Sequence, residues 1–222
     1  MSEARISLLA GMPTLFVMAA MPEYGPQLRK RIQPAIVGVG PVEAALETGL
    51  ALRLAQEAGT MPGLVVCLGS AGSRILPQGE IYQASSVSWR DMDASPLGFD
   101  KGQTPFTDHL VETPLETPLP GVPSARLSTG SDVVTGSRYL AIDADMVDME
   151  SFAVMRACQR FGVPMVALRG ISDGAADLRR YEDWTHLLDA LDERLAIVVD
   201  TLAVVLAGGW RPAPIAADAS GV

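Results

Sequence analysis

Two acidic side chains, Glu150 and Asp173, occur at positions that should bring them into one cleft. Glu150 begins an amphipathic helix that ends at Gly162, and the segment through Leu168 is typical of a buried strand. A helix that leads directly into a strand is half of a right-handed crossover. Asp173, just past the strand, is therefore expected at the sheet edge where the helix begins. Paired carboxylates in a cleft indicate acid–base chemistry.

Two further turns after apolar strands carry reactive or permissive residues. Glu23 follows the strand predicted over 14–20, and the glycine-rich turn Gly69-Ser70-Ala71-Gly72 follows the strand predicted over 64–68. If these strands are parallel, both turns share one sheet edge with Glu150 and Asp173. Glycines let backbone amides approach a ligand closely. Taken singly, each acid could equally be a helix-terminal charge or a turn residue.

The elements that must position these residues alternate between strands and helices. Strands are predicted over 14–20, 35–39, 64–68, 80–90, 125–135 and 163–168, and helices over 42–58, 150–161 and 185–207. The segment 100–123 contains five prolines and little periodicity, which favours a long ordered loop or flap. The alternation predicts an α/β fold, a three-layer sandwich around a central mixed sheet, with one domain over 1–207 and a disordered tail over 208–222.

Composition restricts the possible partners and location. The 222 residues are 48% hydrophobic and 19% charged, and the net charge of -9 disfavours nucleic acid and anionic membrane surfaces as partners. The two cysteines, Cys67 and Cys158, lie in apolar stretches and are expected to be reduced and buried. The apolar run 195–207 contains Asp200 and is too short to span a membrane, and no secretory signal is visible. We expect a cytoplasmic protein.

Three common kinds of site are disfavoured by the residues present. The stretch that begins Gly38-Val39-Gly40 resembles a dinucleotide fingerprint, but Glu43 replaces its third glycine and would place a negative charge near a pyrophosphate. Ser70 lacks the glycine frame of a hydrolase nucleophile elbow. His109 and His186 have no ligand spacing with the cysteines. We therefore expect neither a cofactor nor a metal.

Four segments, taken in order, resemble the 5′-methylthioadenosine/S-adenosylhomocysteine nucleosidases of the nucleoside phosphorylase superfamily. These segments are 69–72, 91–103 with Asp91-Met92-Asp93, 146–150 with Met149-Glu150, and 162–173 with Ser172-Asp173. The similarity covers roughly residues 14 to 207. It implies a nucleoside phosphorylase-like fold and hydrolysis of the N-glycosidic bond of a purine nucleoside. The products would be adenine and the (thio)ribose, in purine and methionine salvage.

The resemblance also implies roles for single residues. Met149 and Glu150 match the pair that holds the ribose, and Asp173, reached through Ser172, matches the acid that protonates the purine as it departs. Glu23 matches the carboxylate that activates the attacking water. A shift of this turn by one residue would place Tyr24 there, and a tyrosine is a poor base near neutral pH.

Further substrate contacts are implied at the glycine-rich turn and the purine loop. The backbone of Ser70, Ala71 and Gly72 would contact the substrate, and Val133 and Val134 stand where the family places an aromatic residue that stacks on adenine. Aliphatic contact would replace stacking there. Family members are dimers, so Phe106 is expected at the substrate tail in the partner's site.

Several alternatives stay open at this point. A phosphorylase of the same superfamily would use phosphate in place of water, although no arginine precedes the glycine-rich turn. Another purine nucleoside, such as futalosine, could be the substrate, and a non-catalytic nucleoside sensor is a third possibility. Either Tyr181 or Trp184 could cover the ribose.

Overall fold

The computed structural model describes residues 6–116, 118–174, 176–213 and 215, and these ranges contain nine β-strands and five α-helices. The strands are β1 (Ile6–Leu9), β2 (Met12–Met18), β3 (Ala35–Ile36), β4 (Leu64–Gly72), β5 (Ile81–Trp89), β6 (Glu112–Pro114), β7 (Ser124–Thr129), β8 (Met146–Asp148) and β9 (Met165–Asp173). The helices are α1 (Pro26–Arg29), α2 (Pro41–Glu57), α3 (Ser151–Phe161), α4 (Tyr181–Thr185) and α5 (Leu188–Ala207).

The strands form one mixed sheet that partly closes on itself. Strands β2, β4 and β9 are parallel neighbours, with Val17 opposite Cys67 and Cys67 opposite Ala167. Beyond them, β9 pairs antiparallel with β5, β5 pairs parallel with β7, and β7 pairs parallel with β8. Strand β8 returns to β4 through the pair Gly72 and Val147. The predicted central mixed sheet is confirmed, and the carboxyl ends of β2, β4 and β9 share one edge.

Helices cover the sheet on two sides. Alternate residues of β4 point to opposite faces, so Cys67 belongs to one buried cluster and Val66 to the other. Helices α2 and α3 bury Leu52 and Met155 in the first cluster. Helices α1 and α5 contribute to the second cluster, where Leu195 lies. The three layers of the predicted sandwich are therefore present.

Two strands are longer than the sequence pattern predicts. Strand β4 continues through the glycine-rich turn to Gly72, and β9 continues through Ser172 to Asp173. Each strand supplies the hydrogen-bonding partner of the other up to the pair Gly72 and Asp173, where a bulge shifts the register. Because the neighbouring strand satisfies the backbone, the glycines do not end β4.

Other boundaries also differ from the prediction. The proline-rich segment contains the short strand β6, which pairs with β5. Strand β3 has only two residues. The helix predicted over 185–207 is α5, which begins at Leu188, and a separate short helix, α4, precedes it. Helix α3 agrees with the prediction, because Phe152, Met155 and Cys158 are buried and Gly162 ends it with a φ of +66°.

After α5, Trp210 packs against the second cluster, and Ile215 is buried. Residues 214 and 216–222 lie outside the described residues, and the single domain over 1–207 and the disordered tail stay predictions. Within the described part of the chain, no helix is long and apolar enough to cross a membrane.

Candidate active site

A cavity of about 540 Å³ opens at the shared edge of β2, β4 and β9. Of the eleven residues predicted for the site, nine line it: Glu23, Ser70, Ala71, Gly72, Val133, Val134, Met149, Glu150 and Asp173. The crossover between α3 and β9 brings Glu150 and Asp173 together, as the sequence predicts, and the parallel pairing of β2 with β4 adds Glu23.

The other two predicted residues lie outside the cavity lining. Ser172 is buried behind Asp173, and its hydroxyl donates a hydrogen bond to Asp173 Oδ1 at 2.5 Å. Phe106 is 93% exposed and contacts Phe99 edge to face, with ring centroids 5.6 Å apart. Ser172 therefore orients Asp173 through this hydrogen bond, and Phe106 projects from the surface of its own chain.

Glu23 ends a short 3-10 turn after β2, and its carboxyl group is buried against β4. Oε1 accepts hydrogen bonds from the backbone N–H and the hydroxyl of Ser70, both at 2.7 Å. Oε2 is buried with no hydrogen-bond partner among the described residues. Burial raises the pKa of Glu23, against the opposing effects of the Ser70 donors and the positive charge of Arg169.

Gly69 allows this approach. A Cβ at position 69 would lie 3.2 Å from Glu23 Oε1 and 3.2 Å from Arg169 Nη1. Either contact is tighter than a side chain normally tolerates. The glycine thus lets the carboxylate and the guanidinium both lie against the backbone of β4.

Glu150 occupies the position immediately before α3, so its backbone carbonyl starts the helix while its side chain turns into the cavity. Oε1 accepts a hydrogen bond from the backbone N–H of Gly40 at 2.9 Å. Burial raises the pKa of Glu150 to about 7, and the negative charge of Asp148 adds to this effect. The carboxyl group therefore titrates near neutral pH.

This raised pKa predicts a pH-dependent stability cost. An unfolded glutamate titrates near 4.5, so between that value and about 7 the folded state binds more protons, and the free energy of unfolding falls as pH rises. Glu150→Gln removes this loss. The variant's free energy of unfolding, measured by urea denaturation, is compared with that of the parent. We expect this difference to be roughly 2 to 3 kcal/mol more favourable to the variant at about pH 8 than at about pH 4. An equal difference at both pH values would contradict this expectation.

A buried ion pair beside the cavity joins β8 to β9 and to the start of α3. Asp148 Oδ2 accepts hydrogen bonds from Arg169 Nη2 at 2.8 Å and Nε at 3.1 Å, and Oδ1 accepts one from the Thr129 hydroxyl at 2.6 Å. Arg169 Nη2 also donates to the Ser151 hydroxyl and to Cys67 Sγ. These contacts lower the pKa of Asp148, so the pair stays charged.

The sequence interpretation missed the part played by Asp148 and Arg169. Both lie within the recognised motifs, yet no role followed from spacing alone. An available signal was Arg169 directly after the apolar run 163–168, because an arginine buried at the end of such a strand requires an anionic partner.

Asp173 is the last residue of β9, and its side chain lines the cavity. Its Oδ1 is held by Ser172, and its Oδ2 accepts a hydrogen bond from the Tyr139 hydroxyl at 3.5 Å. Burial raises the pKa of Asp173, and the two hydroxyl donors oppose this rise. A Cβ at position 72 would lie 2.8 Å from Asp173 Oδ2, so Gly72 makes room for this acid.

The three carboxyl groups predicted for the site therefore differ in environment. Burial raises the pKa of both Asp173 and Glu23, but their hydrogen bonds differ. Each oxygen of Asp173 accepts from a hydroxyl group, whereas Glu23 has one oxygen with two donors and one oxygen without a partner among the described residues. This difference in hydrogen bonding is compatible with one carboxyl group acting as general acid and the other as general base. The carboxyl group of Glu150 can accept a hydrogen bond from a bound hydroxyl group.

Comparison with known proteins gives concordant results. A sequence profile of the phosphorylase superfamily matches residues 27–206. A relative from Actinobacillus succinogenes named 5′-methylthioadenosine/S-adenosylhomocysteine nucleosidase is 32% identical over 154 residues, which are 61% of this chain and 65% of that relative.

Two solved structures have the same fold. The 5′-methylthioadenosine/S-adenosyl homocysteine nucleosidase of Campylobacter jejuni superposes with a TM-score of 0.71 at 17% identity, covering 89% of this chain and 100% of that chain. A futalosine hydrolase mutant of Helicobacter pylori gives a TM-score of 0.68 at 20% identity, covering 86% and 97% of the two chains.

Proposed function

The chain belongs to the phosphorylase superfamily, and we propose that it is a purine nucleosidase. Its substrates would be 5′-methylthioadenosine and S-adenosylhomocysteine, which it would hydrolyse to adenine and the (thio)ribose. The observation that carries this proposal is the convergence of Glu23, Glu150 and Asp173 on one cavity. We propose that residues 1–207 form the catalytic unit. We also propose that the protein is cytoplasmic and has no nucleic-acid partner.

Cleavage of a carbon–nitrogen glycosidic bond needs a proton for the leaving base, a water on the opposite face, and anions near the oxocarbenium-like centre. In the proposed mechanism, Asp173 donates its proton to the five-membered ring of the purine as the bond breaks. Glu23 accepts a proton from the attacking water. Glu150 accepts hydrogen bonds from the ribose hydroxyls, with Met149 beside it. The proton lost by the water balances the proton gained by the base.

Water is favoured over phosphate as the nucleophile by the environment of Arg169. Arg169 is paired opposite Gly69, so the neighbouring strand brings a cation to the glycine-rich turn although no arginine precedes that turn in the sequence. However, Arg169 Nη2 and Nε are engaged by Asp148 and Ser151. The remaining nitrogen, Nη1, donates to the Leu168 carbonyl at 3.3 Å, and the negative charge of Glu23, which interacts with Arg169, would repel a phosphate dianion.

The base-binding side of the cavity supports an aliphatic contact with the purine. Val134 is buried and Val133 is about half exposed, and both line the cavity. The backbone at 70–72 borders the same space. Tyr181 and Trp184 both line the cavity as well, so each is available to cover the ribose. A substrate with another purine, such as futalosine, is the second candidate, and the fold likeness to a futalosine hydrolase supports its inclusion.

The test is a base-release assay with methylthioadenosine, S-adenosylhomocysteine, futalosine, inosine and adenosine, each with and without phosphate. Release of adenine from the first two substrates in phosphate-free buffer is expected. Strict dependence on phosphate would instead identify a phosphorylase. Binding of a nucleoside without release of any base would identify a sensor.

We also propose a homodimer, on the evidence of an apolar stripe on α2. Val42, Leu46 and Leu50 are four residues apart, so they lie on one helix face, and each is between 51% and 67% exposed. Val39, just before α2, is exposed and also lines the cavity. A partner packed on this stripe would therefore reach the mouth of the cavity, where its Phe106 could contact the substrate tail.

Leu46→Glu is expected to disrupt this dimer, because a charge would be buried at the centre of the stripe. Light scattering should give the mass of one chain, and KM for methylthioadenosine should rise because the partner's Phe106 is lost. Ile197→Glu, at a comparably exposed position on α5, is the matched control and should remain dimeric. A monomeric parent protein with full activity would remove the proposal.

A further inference from the structure

Trp184 on α4 is linked to Glu23 through a chain of two hydrogen bonds. The indole N–H of Trp184 donates to Ser70 Oγ at 2.9 Å, and the Ser70 hydroxyl donates to Glu23 Oε1 at 2.7 Å. The three side chains come from α4, β4 and the turn after β2, and all of them line the cavity.

The chemistry of the end groups fixes the direction of this chain. An indole nitrogen can only donate a hydrogen bond, and an ionised carboxylate can only accept one. The Ser70 oxygen therefore accepts from Trp184, which leaves its own proton directed at Glu23. Without the indole donor, the hydroxyl could rotate toward any other acceptor in the cavity.

This direction decides which oxygen of Glu23 is occupied. Oε1 receives both the hydroxyl and the backbone N–H of Ser70, whereas Oε2 has no partner among the described residues. A carboxylate anchored through one oxygen presents the other oxygen in a defined direction. In the proposed reaction, this fixed carboxylate accepts the proton of the attacking water.

We infer that Trp184 is a positioning residue that sets the orientation of the water-activating carboxylate through the Ser70 hydroxyl. The inference rests on the proposed function for its catalytic consequence. It also ties the base to the seating of α4 over the cavity. Tyr181, one turn earlier on α4, packs edge to face against Trp184 with ring centroids 5.5 Å apart, and so supports the indole from the solvent side.

Trp184→Phe tests the indole donor, because it keeps an aromatic ring while removing the N–H together with part of the ring area. We expect kcat to fall roughly tenfold, the size of a lost hydrogen bond in a chain that ends on a charged group. The acidic limb of the kcat/KM profile should also move to higher pH, since a carboxylate with a weakened donor is more easily protonated. Trp210→Phe, which alters a partly buried tryptophan away from the cavity, is the control and should leave both quantities unchanged.

A double-mutant cycle with Ser70→Ala separates positioning from packing. Any loss of ring contacts by Trp184→Phe is the same in both backgrounds, but the hydrogen bond exists only when Ser70 has its hydroxyl group. In the Ser70→Ala background, Trp184→Phe should therefore change kcat by no more than about twofold. If the two reductions instead multiply, the two side chains act independently and the inference is wrong.

A measurement that needs no catalysis distinguishes failure of this inference from failure of the proposed function. The chain has three tryptophans, so nitrogen-15 NMR gives three indole N–H signals, and Trp184→Phe identifies the one of interest. That signal should shift as Glu23 titrates, and the shift should vanish in Glu23→Gln and in Ser70→Ala.

The two failures give different results. If this titration is present but no nucleoside is cleaved, the link stands and the proposed function fails. If the Trp184 signal does not respond to the ionisation of Glu23, the inference is overturned whatever the activity. Nucleoside cleavage without this response would leave the proposed function intact.

Discussion

Asp173→Asn is expected to reduce adenine release from methylthioadenosine by about 10²- to 10⁴-fold, the contribution of a positioned general acid. Asparagine has nearly the same shape and can still accept the Ser172 hydrogen bond, but it has no proton to transfer. The wild-type rate should fall as pH rises through the raised pKa of Asp173, because the ionised carboxylate cannot donate. The variant should lack this basic limb. Steady-state kinetics over a range of pH values measures both effects.

A substrate that needs no leaving-group proton isolates the role of this acid. The leaving group of a 4-nitrophenyl riboside departs as a stable phenolate and needs no proton. The Asp173→Asn variant should therefore cleave this substrate at nearly the wild-type rate. Asp200→Asn, on the exposed ion pair with Arg31, is the matched control and should not affect either substrate. Equal losses on both substrates would mean that Asp173 maintains the structure of the site and does not act as the acid.

Glu23→Gln should reduce the rate by a similar factor, about 10²- to 10⁴-fold, but on both substrates, because each requires an activated water. Glutamine can keep the two hydrogen bonds from Ser70 through its amide oxygen. It cannot accept the proton of the water. The acidic limb of the kcat/KM profile, which in this mechanism reports the protonation of Glu23, should disappear as well.

The matched control is Glu57→Gln on the exposed face of α2, where Glu57 pairs with Arg53. It should leave activity unchanged. A Glu23→Gln variant that keeps wild-type activity on the nitrophenyl substrate would assign water activation to another group. The contrast between the two substrates therefore assigns acid and base separately, which a single activity measurement cannot do.

The sequence predicts the positions of the acids because they depend on chain topology. The crossover rule places Glu150 and Asp173 at one sheet edge, and parallel pairing adds the turn that carries Glu23. The geometry of that turn supports the register that uses Glu23. Tyr24 turns away from the cavity and donates its hydroxyl proton to the Ile32 carbonyl at 2.5 Å, whereas Glu23 lines the cavity.

The sequence does not predict the contacts that join distant elements. The link from Trp184 to Ser70 spans 114 positions, and the pair of Asp148 with Arg169 spans 21. Such pairs depend on how strands and helices are packed, and periodicity in one segment carries no information about them. Tyr139 likewise reaches Asp173 from a short 3-10 helix, Gly136–Ala141.

Strand boundaries were misjudged for a related reason. Local propensity predicts that glycines 69 and 72 interrupt a strand, but over these residues β4 is paired with β9, and Gly72 is also paired with Val147 of β8. Partners that are distant in sequence outweigh the local preference at this point. The result has a functional consequence, because the extended backbone of β4 carries Ser70 to Glu23 and Gly72 to Asp173.

The most direct test of the central claim is the mass of the sugar released from methylthioadenosine in buffer that contains phosphate. If Glu23 activates the attacking water while Asp173 protonates the base, the product is free methylthioribose even when phosphate is abundant. Recovery of methylthioribose 1-phosphate, or of intact nucleoside after prolonged incubation, would contradict the account.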